Sequence, residues 1–265
     1  TSSNIHNCIA NNDGGGVINH GTFQMRGGTI STCTTVAFGG GGVCNNGTFI
    51  MSDGMIKGCT SLDGQYASGG GVRNSNQFTM TGGMIGDPDN ENDASHVYNT
   101  SSQETTLTIS GNAKIYTDIT NVGILNADGG EIAGTMTNDT NRYGTGTITG
   151  SEGAAGSTKF QDKVTNNGTI RKGTFTNEVI NESSGTINGG TFTGAITNND
   201  GTVLDGDFSG ATLNGMLVIT FDPDNEDQSI TQKVNWSKDG AALTAPDPVP
   251  TKEGHSIEGW YYDNN

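Results

Sequence analysis

Residues Gly14 to Cys33 read GGGVINHGTFQMRGGTISTC, and two later segments repeat this order of residues. Gly40 to Cys59 reads GGGVCNNGTFIMSDGMIKGC, and Gly69 to Gly86 reads GGGVRNSNQFTMTGGMIG. Internal repeats of this length predict structural units that stack on one another. The apolar positions that recur, at spacings of 26 and 29 residues, are Val17/Val43/Val72, Phe23/Phe49/Phe78, Met25/Met51/Met80 and Ile30/Ile56/Ile85.

The second half of the chain uses shorter units built from the same elements. Val164–Phe175 reads VTNNGTIRKGTF, Val179–Phe192 reads VINESSGTINGGTF, and Ile196–Phe208 reads ITNNDGTVLDGDF, at spacings of 15 and 17 residues. Both halves share an apolar residue followed two positions later by Asn. The pairs of this kind are Val17/Asn19, Val43/Asn45, Val72/Asn74, Val97/Asn99, Ile119/Asn121, Ile124/Asn126, Met136/Asn138, Val164/Asn166, Val179/Asn181 and Ile196/Asn198. The register between residues 97 and 163 stays open at this point.

Short runs such as Phe23-Gln24-Met25 alternate apolar and polar residues, which predicts strands with one buried face. Gly and Asn bound these runs and supply tight corners. Because each unit returns to the same order, residues 1–215 are predicted to form an all-β, right-handed parallel β-helix, a solenoid with like side chains stacked about 4.8 Å apart. The recurring Asn is expected to hydrogen-bond the backbone of the next unit.

The repeat stops near Met216, and residues 216–265 contain both tryptophans, Trp236 and Trp260. This segment resembles the Listeria–Bacteroides repeat, the B-repeat of internalin-type surface proteins, without its usual Gly-rich turn and last strands. The resemblance implies a separate small β module that lacks these parts, which we expect to pack end-on near Phe208 and Leu213. The matching pieces are Thr220-Phe221-Asp222, Val234, Leu243, Pro246 or Pro248, Pro250, Gly254, Ile257 and Gly259-Trp260-Tyr261.

The Gly-Gly-Gly-Val-x-Asn-x-Gly-Thr-Phe units are similar to repeats of large surface proteins of gut Firmicutes. The resemblance implies an extracellular protein attached to the bacterial cell surface, with a structural or adhesive role. Its partner would be a host-surface or glycan ligand that the sequence does not name. Contact is expected through ladders of Thr, Asn and aromatic side chains.

The charge balance excludes one class of partner. Twelve Lys and Arg stand against 28 Asp and Glu, giving a net charge of −16, so a nucleic-acid backbone would be repelled. The sequence also lacks a run of about 18 apolar residues, so no membrane insertion is expected.

The alternative to an adhesin is a polysaccharide-active enzyme or carbohydrate-binding module, because parallel β-helices also carry such sites. An active site would need carboxylates gathered on one outward face. The outward positions expected from the alternation are Gln24, Ile50 and Thr79, and then Arg171, Asn188 and Leu204. Neither series gathers acids, so the sequence predicts a protein that is not an enzyme, with no catalytic, cofactor-binding or metal-binding residues.

Three groups of residues contain side chains that can bind metal ions. Cys8, Cys33 and Cys59 recur at the repeat spacing and are predicted to form a stack of small buried residues, while Cys44 lies outside the series. The acidic run 87–93 (DPDNEND) is interpreted as a solvated turn, with calcium as the alternative. The histidines are interpreted as turn or surface residues; they are His6, His20, His96 and His255.

Overall fold

The computed structural model describes residues 3–63, 69–90, 93–100, 105–151, 157–221 and 230–236. Within these ranges every regular element is a β-strand, and the longest have ten residues. Most of the C-terminal pieces that carry the B-repeat resemblance, Trp260 among them, lie outside the described residues, as do His255 and Glu91.

The strands are short because Gly and Asn interrupt the chain at each corner. In the first part of the chain they are β1 (Asn4–His6), β2 (Ile9–Ala10), β3 (Val17–Asn19), β4 (Thr22–Ser31), β5 (Thr34–Thr35), β6 (Val43–Asn45), β7 (Thr48–Lys57), β8 (Thr60–Ser61), β9 (Val72–Asn74), β10 (Gln77–Met80), β11 (Met84–Ile85), β12 (Val97–Asn99), β13 (Thr106–Ile115) and β14 (Ile119–Asn121). In the remainder they are β15 (Ile124–Ile132), β16 (Met136–Asn138), β17 (Thr140–Asn141), β18 (Gly144–Thr145), β19 (Thr147–Gly150), β20 (Lys159–Phe160), β21 (Val164–Asn166), β22 (Thr169–Ile170), β23 (Thr174–Phe175), β24 (Val179–Asn181), β25 (Thr186–Phe192), β26 (Ala195–Asn198), β27 (Thr202–Asp207), β28 (Thr212–Phe221) and β29 (Ile230–Asn235).

Two long sheets contain most of these strands. The first sheet has 13 strands, in the order β1-β4-β7-β10-β13-β15-β19-β22-β25-β23, with β11, β20 and β27 attached beside this path. The second sheet has 11 strands, in the order β29-β28-β26-β24-β21-β16-β14-β12-β9-β6-β3. Pairing in both is parallel, apart from β28 with β29 at the end of the second sheet. Smaller sheets join β2-β5-β8 and β17-β18.

Successive repeats pair in register, which confirms the predicted columns of like residues. Val17 pairs with Val43 and Val43 with Val72, while Phe49 pairs with both Phe23 and Phe78. The Met and Ile series follow the same register. The complete Val column of the second sheet is Val17, Val43, Val72, Val97, Ile119, Met136, Val164, Val179, Ile196 and Leu213.

The aromatic residues change columns between the two halves of the chain. In the long repeats Phe23, Phe49 and Phe78 form one column, which continues through Leu107, Leu125, Ile148, Ile170 and Ile187. In the short repeats the rings of Phe160, Phe175, Phe192 and Phe208 instead continue the column that begins with Ile5 and Ile30. Two repeats between them have aliphatic residues in both columns, Leu107 with Ile115 and Leu125 with Ile132, whereas the later repeats pair one aliphatic with one aromatic residue, as in Ile187 with Phe192.

The register also corrects one of the apolar-x-Asn pairs. Ile124 and Asn126 do not lie in the Asn column: Ile124 pairs with Thr106 and Thr147, and Asn126 pairs with Thr108 and Thr149, all in the first sheet. Ile119/Asn121 occupies the column instead. In β15 the buried residues are Leu125 and Ala127, so alternation turns Ile124 and Asn126 outward.

At the C-terminal end β28 runs without a break across the predicted boundary at residue 216. Thr212–Gly215 pair in parallel with Ala195–Asn198, and Met216–Phe221 pair antiparallel with β29. The Trp236 ring meets the Phe208 ring edge-on, with 5.0 Å between their centroids. Trp236, which directly follows β29, therefore lies against Phe208 of the last repeat, while the division into two domains stays a prediction.

Candidate functional site

The recurring asparagines form a buried column of amides. Each Asn side chain lies at the end of a strand of the second sheet, and Asn45 to Asn181 are fully buried. Each Nδ2 donates to the Oδ1 of the next Asn at 2.7–2.8 Å, and most also donate to a backbone carbonyl of the next repeat, as predicted. The members are Asn19, Asn45, Asn74, Asn99, Asn121, Asn138, Asn166, Asn181 and Asn198.

This burial corrects the expected mode of contact. The sequence predicted contact through Thr, Asn and aromatic ladders, but the Asn column and most of the Phe residues are enclosed. Because these side chains are buried, they cannot contact a ligand. The Asn amides instead hydrogen-bond within the core of the fold. Of the three kinds of ladder, only the threonines are placed outward.

Two neighbouring outward columns of the first sheet are rich in threonine; together they are called the threonine face. One column consists of Thr22, Thr48, Gln77, Thr106, Ile124, Thr147, Thr169, Thr186 and Thr202. The other consists of Gln24, Ile50, Thr79, Thr108, Asn126 and Thr149.

The geometry of this face follows from parallel pairing. Neighbours within a column lie about 4.8 Å apart, and the two columns lie about 6.6 Å apart along each strand. Every residue in it is uncharged, although the chain has a net charge of −16. Asn126 Nδ2 donates to Thr108 Oγ1 at 3.3 Å, so neighbouring repeats are also linked along the outer surface.

The alternation pattern considered above did not include the first threonine column, although the sequence contains a pattern that indicates this column. Thr directly precedes the apolar core residue in most repeats, as in Thr22-Phe23, Thr106-Leu107 and Thr147-Ile148. Since neighbours along a strand face opposite sides, each buried residue puts its Thr outward. The predicted outward residues Gln24, Ile50 and Thr79 do share one column.

The second predicted outward series needs a correction at its end. The register shifts after Ile187, and Asn188 pairs with Asp205 where Leu204 was expected. Leu204 is 59% exposed beside this irregularity. One extra residue in β27 causes the shift, which alternation alone does not reveal.

The carboxylates near this sheet lie opposite residues that are not acidic. Asp53 pairs with Arg26, Asp128 with Ser110, and Asp205 with Asn188. These pairings offer no two-carboxylate arrangement of the kind a glycosidase uses. The expectation that the chain is not an enzyme stays a prediction.

The acidic turn is organised by the protein's own donors. Asp87 binds Lys57 Nζ at 2.9 Å, and Asp93 accepts hydrogen bonds from the backbone N–H groups of Gly58 and Ser95. The hydrogen bond from Lys57 lowers the pKa of Asp87, and the same hydrogen bond raises the pKa of Lys57. Throughout the described ranges, no group of three or more His, Cys, Asp or Glu is placed to hold a metal ion.

The described histidines lie in exposed turns or at strand ends, as expected. His6 contacts Asn7, and His96 Nδ1 lies 3.1 Å from the Ala94 carbonyl oxygen. His20 is exposed at the corner after β3.

The repeat-spaced cysteines are free thiols next to the glycine triplets. Cys33 and Cys59 are fully buried, whereas Cys8 in the first repeat is partly exposed. A Cβ on Gly42 would lie 3.3 Å from Cys59 Sγ and 2.6 Å from the Gly71 carbonyl oxygen, so both small residues are needed for this close packing. Cys44 is buried in a different column, between Ile18 and Arg73.

Burial of the Cys59 thiol gives a pH-dependent prediction. Loss of hydration raises the pKa of Cys59 from 9.0 to about 12, because the thiolate is disfavoured inside the core. Stability from the protonated thiol is full below pH 9 and is lost as the pH rises from 9 to 12. The urea midpoint should fall in this range by more for the wild type than for Cys59→Ala. If the urea midpoint fell equally with pH in the two proteins, the thiol of Cys59 would not be buried as described.

The described part of the chain contains no helix long and apolar enough to cross a membrane. Comparison of the chain with protein-family models, with curated proteins and with solved structures found no match.

Proposed function

We propose that this chain is a structural and adhesive module of a bacterial cell-surface protein. Its repeats would form a right-handed parallel β-helix that presents the threonine face to an uncharged glycan or host-surface polymer. The resemblance of its two parts to Firmicutes surface repeats and to the Listeria–Bacteroides repeat supports an extracellular location. In this proposal residues 216–265 form a separate module that links the rod to further parts of the parent protein.

The single observation that carries this proposal is the uncharged, repeating threonine face. Hydroxyl groups both donate and accept hydrogen bonds, so they can pair with sugar hydroxyls in either sense. The columns offer the same groups at every repeat, and a polymer that also repeats can engage many of them at once. Weak single contacts would then add up along the sheet without any chemical reaction.

The absence of charge on this face points to an uncharged ligand. An acidic polysaccharide would approach a protein of net charge −16, and the two columns themselves contain no cation; the guanidinium of Arg26, beside the first repeat, donates to Gln24 Oε1. Binding should accordingly depend little on ionic strength, because screening acts on charges. A glycan array that includes neutral and acidic polysaccharides tests this preference directly.

Two arginine substitutions should abolish most of this contact. Thr108→Arg with Thr149→Arg puts bulky charges at both sides of Asn126, and we expect affinity for the neutral glycan to fall at least about tenfold, or ~1.4 kcal/mol. The measurement is a binding titration with the best glycan from the array.

The matched control lies on the other long sheet. Thr120 and Thr137 are outward neighbours there, with the same partial exposure, so Thr120→Arg with Thr137→Arg should leave glycan affinity unchanged. Equal loss in both double variants, or binding confined to acidic glycans, would contradict the threonine face as the contact surface.

A further inference from the structure

The two ends of the stacked repeats differ in how they are covered. At the C-terminal end, the last Asn side chain, Asn198, donates to the Met216 carbonyl, and Trp236 packs against Phe208. At the other end, β3 is the terminal strand of the second sheet, and among the described strands it pairs with β6 alone. In the first sheet β1 pairs with Thr29–Ser31, and the described residues put no strand beside Thr22–Arg26 on that side.

Burial shows the same asymmetry. Val43 and Phe49 are fully buried, but their partners Val17 and Phe23 in the first of these repeats are only partly buried. The Phe23 ring stacks on Phe49 at 5.1 Å, and its opposite side faces a cleft of about 540 Å³. Ile5, Met25 and Ile30 add further apolar wall to this cleft.

The hydrogen-bonding groups at this edge point to a particular kind of partner. Asn45 Oδ1 accepts from Asn19 Nδ2 and from the Gly47 N–H, whereas Asn19 Oδ1 accepts, among the described residues, from the Gly21 N–H. Inner repeats donate backwards from the N–H groups of Asn46 and Thr48 to the repeat before. By the same register, the N–H groups of His20 and Thr22 point toward an additional strand.

We propose that this edge is a docking site for one added parallel repeat segment reading apolar-x-Asn-x-Gly-Thr-Phe-x-Met, which continues directly into β1. Its Asn would donate to Asn19 Oδ1, its Phe would stack on Phe23, and its carbonyls would accept from His20 and Thr22. Each contact extends an interface that the protein already forms between its inner repeats. The inference does not depend on the threonine face or on its ligand.

The register specifies how to build the test. β1 lies 25 residues ahead of its partners in β4, as in Asn7 and Thr32, so a copy of Gly14–Met25 placed directly before Thr1 falls in register without a gap. With this extension we expect the melting temperature to rise by about 3 °C or more. Amide exchange at His20 and Thr22 should slow at least about tenfold.

The control extension has the same length, with the Val, Asn and Phe of the copy changed to Ser. It should leave melting temperature and amide exchange as in the starting protein, since it offers neither the ring nor the amide donor. Equal effects of the two extensions would overturn the proposal. So would finding by analytical ultracentrifugation that the starting chain is a dimer dissociated by Phe23→Arg, because the occupant would then be a second copy.

Discussion

Replacing Asn138 by alanine should lower the free energy of unfolding by about 3–5 kcal/mol. Its Nδ2 donates to the Gly146 and Thr169 carbonyls and to Asn166 Oδ1, and its Oδ1 accepts from Asn121. Removal of the amide breaks these four hydrogen bonds. The Gly146 carbonyl keeps the Thr169 N–H as a donor, but Asn166 Oδ1 and Asn121 Nδ2 each lose a partner inside the core, at a cost of about 1–3 kcal/mol each. Urea unfolding followed by circular dichroism measures the change.

Asn126→Ala is the matched control for that substitution. Asn126 follows an apolar residue by two positions just as Asn138 does, but it is partly exposed and donates to a single side chain, Thr108. We expect a loss of at most about 0.5 kcal/mol, typical of a surface position. If both substitutions lowered the free energy of unfolding by a similar amount, the hydrogen bonds of the Asn column would not stabilise the fold as expected.

The second large effect is expected for Phe49→Ala, which should cost about 3–5 kcal/mol. The Phe49 side chain is fully buried between Phe23, at 5.1 Å, and Phe78, at 4.4 Å between ring centroids. Truncation removes the buried ring, leaves a void between two rings and ends both stacking contacts. The unfolding midpoint in urea gives the measurement.

Phe38→Ala provides the comparison for this truncation, because the Phe38 side chain is 53% exposed. It removes the same atoms, yet the free energy of unfolding should fall by less than about 1 kcal/mol, because an exposed ring buries little apolar area in the folded state. If Phe49→Ala were as mild as Phe38→Ala, the stacked column would not be part of the core.

The sequence by itself determined the parallel, in-register pairing of the repeats. Val17, Val43 and Val72 recur with Phe, Met and Ile at fixed offsets, and alternation with period two assigns each to the buried face. A stack of identical units has one register that brings all four series together. The same reasoning predicted the buried position of Cys33 and Cys59, which share the repeat spacing.

Other features depended on what lies opposite each residue, which only the tertiary structure decided. Gly-Thr-Phe is the same local signal at Phe49 and at Phe175, yet Phe49 pairs with Phe23 and Phe78, whereas the Phe175 ring stacks on Phe160 in the column that includes Ile132. Ile119/Asn121 and Ile124/Asn126 read alike, but only one pair can occupy the corner of that repeat. The extra residue that puts Asp205 beside Asn188 likewise shows only in the pairing of β25 with β27. Alternation assigns a residue to a face of its strand, whereas its column depends on packing against distant parts of the chain.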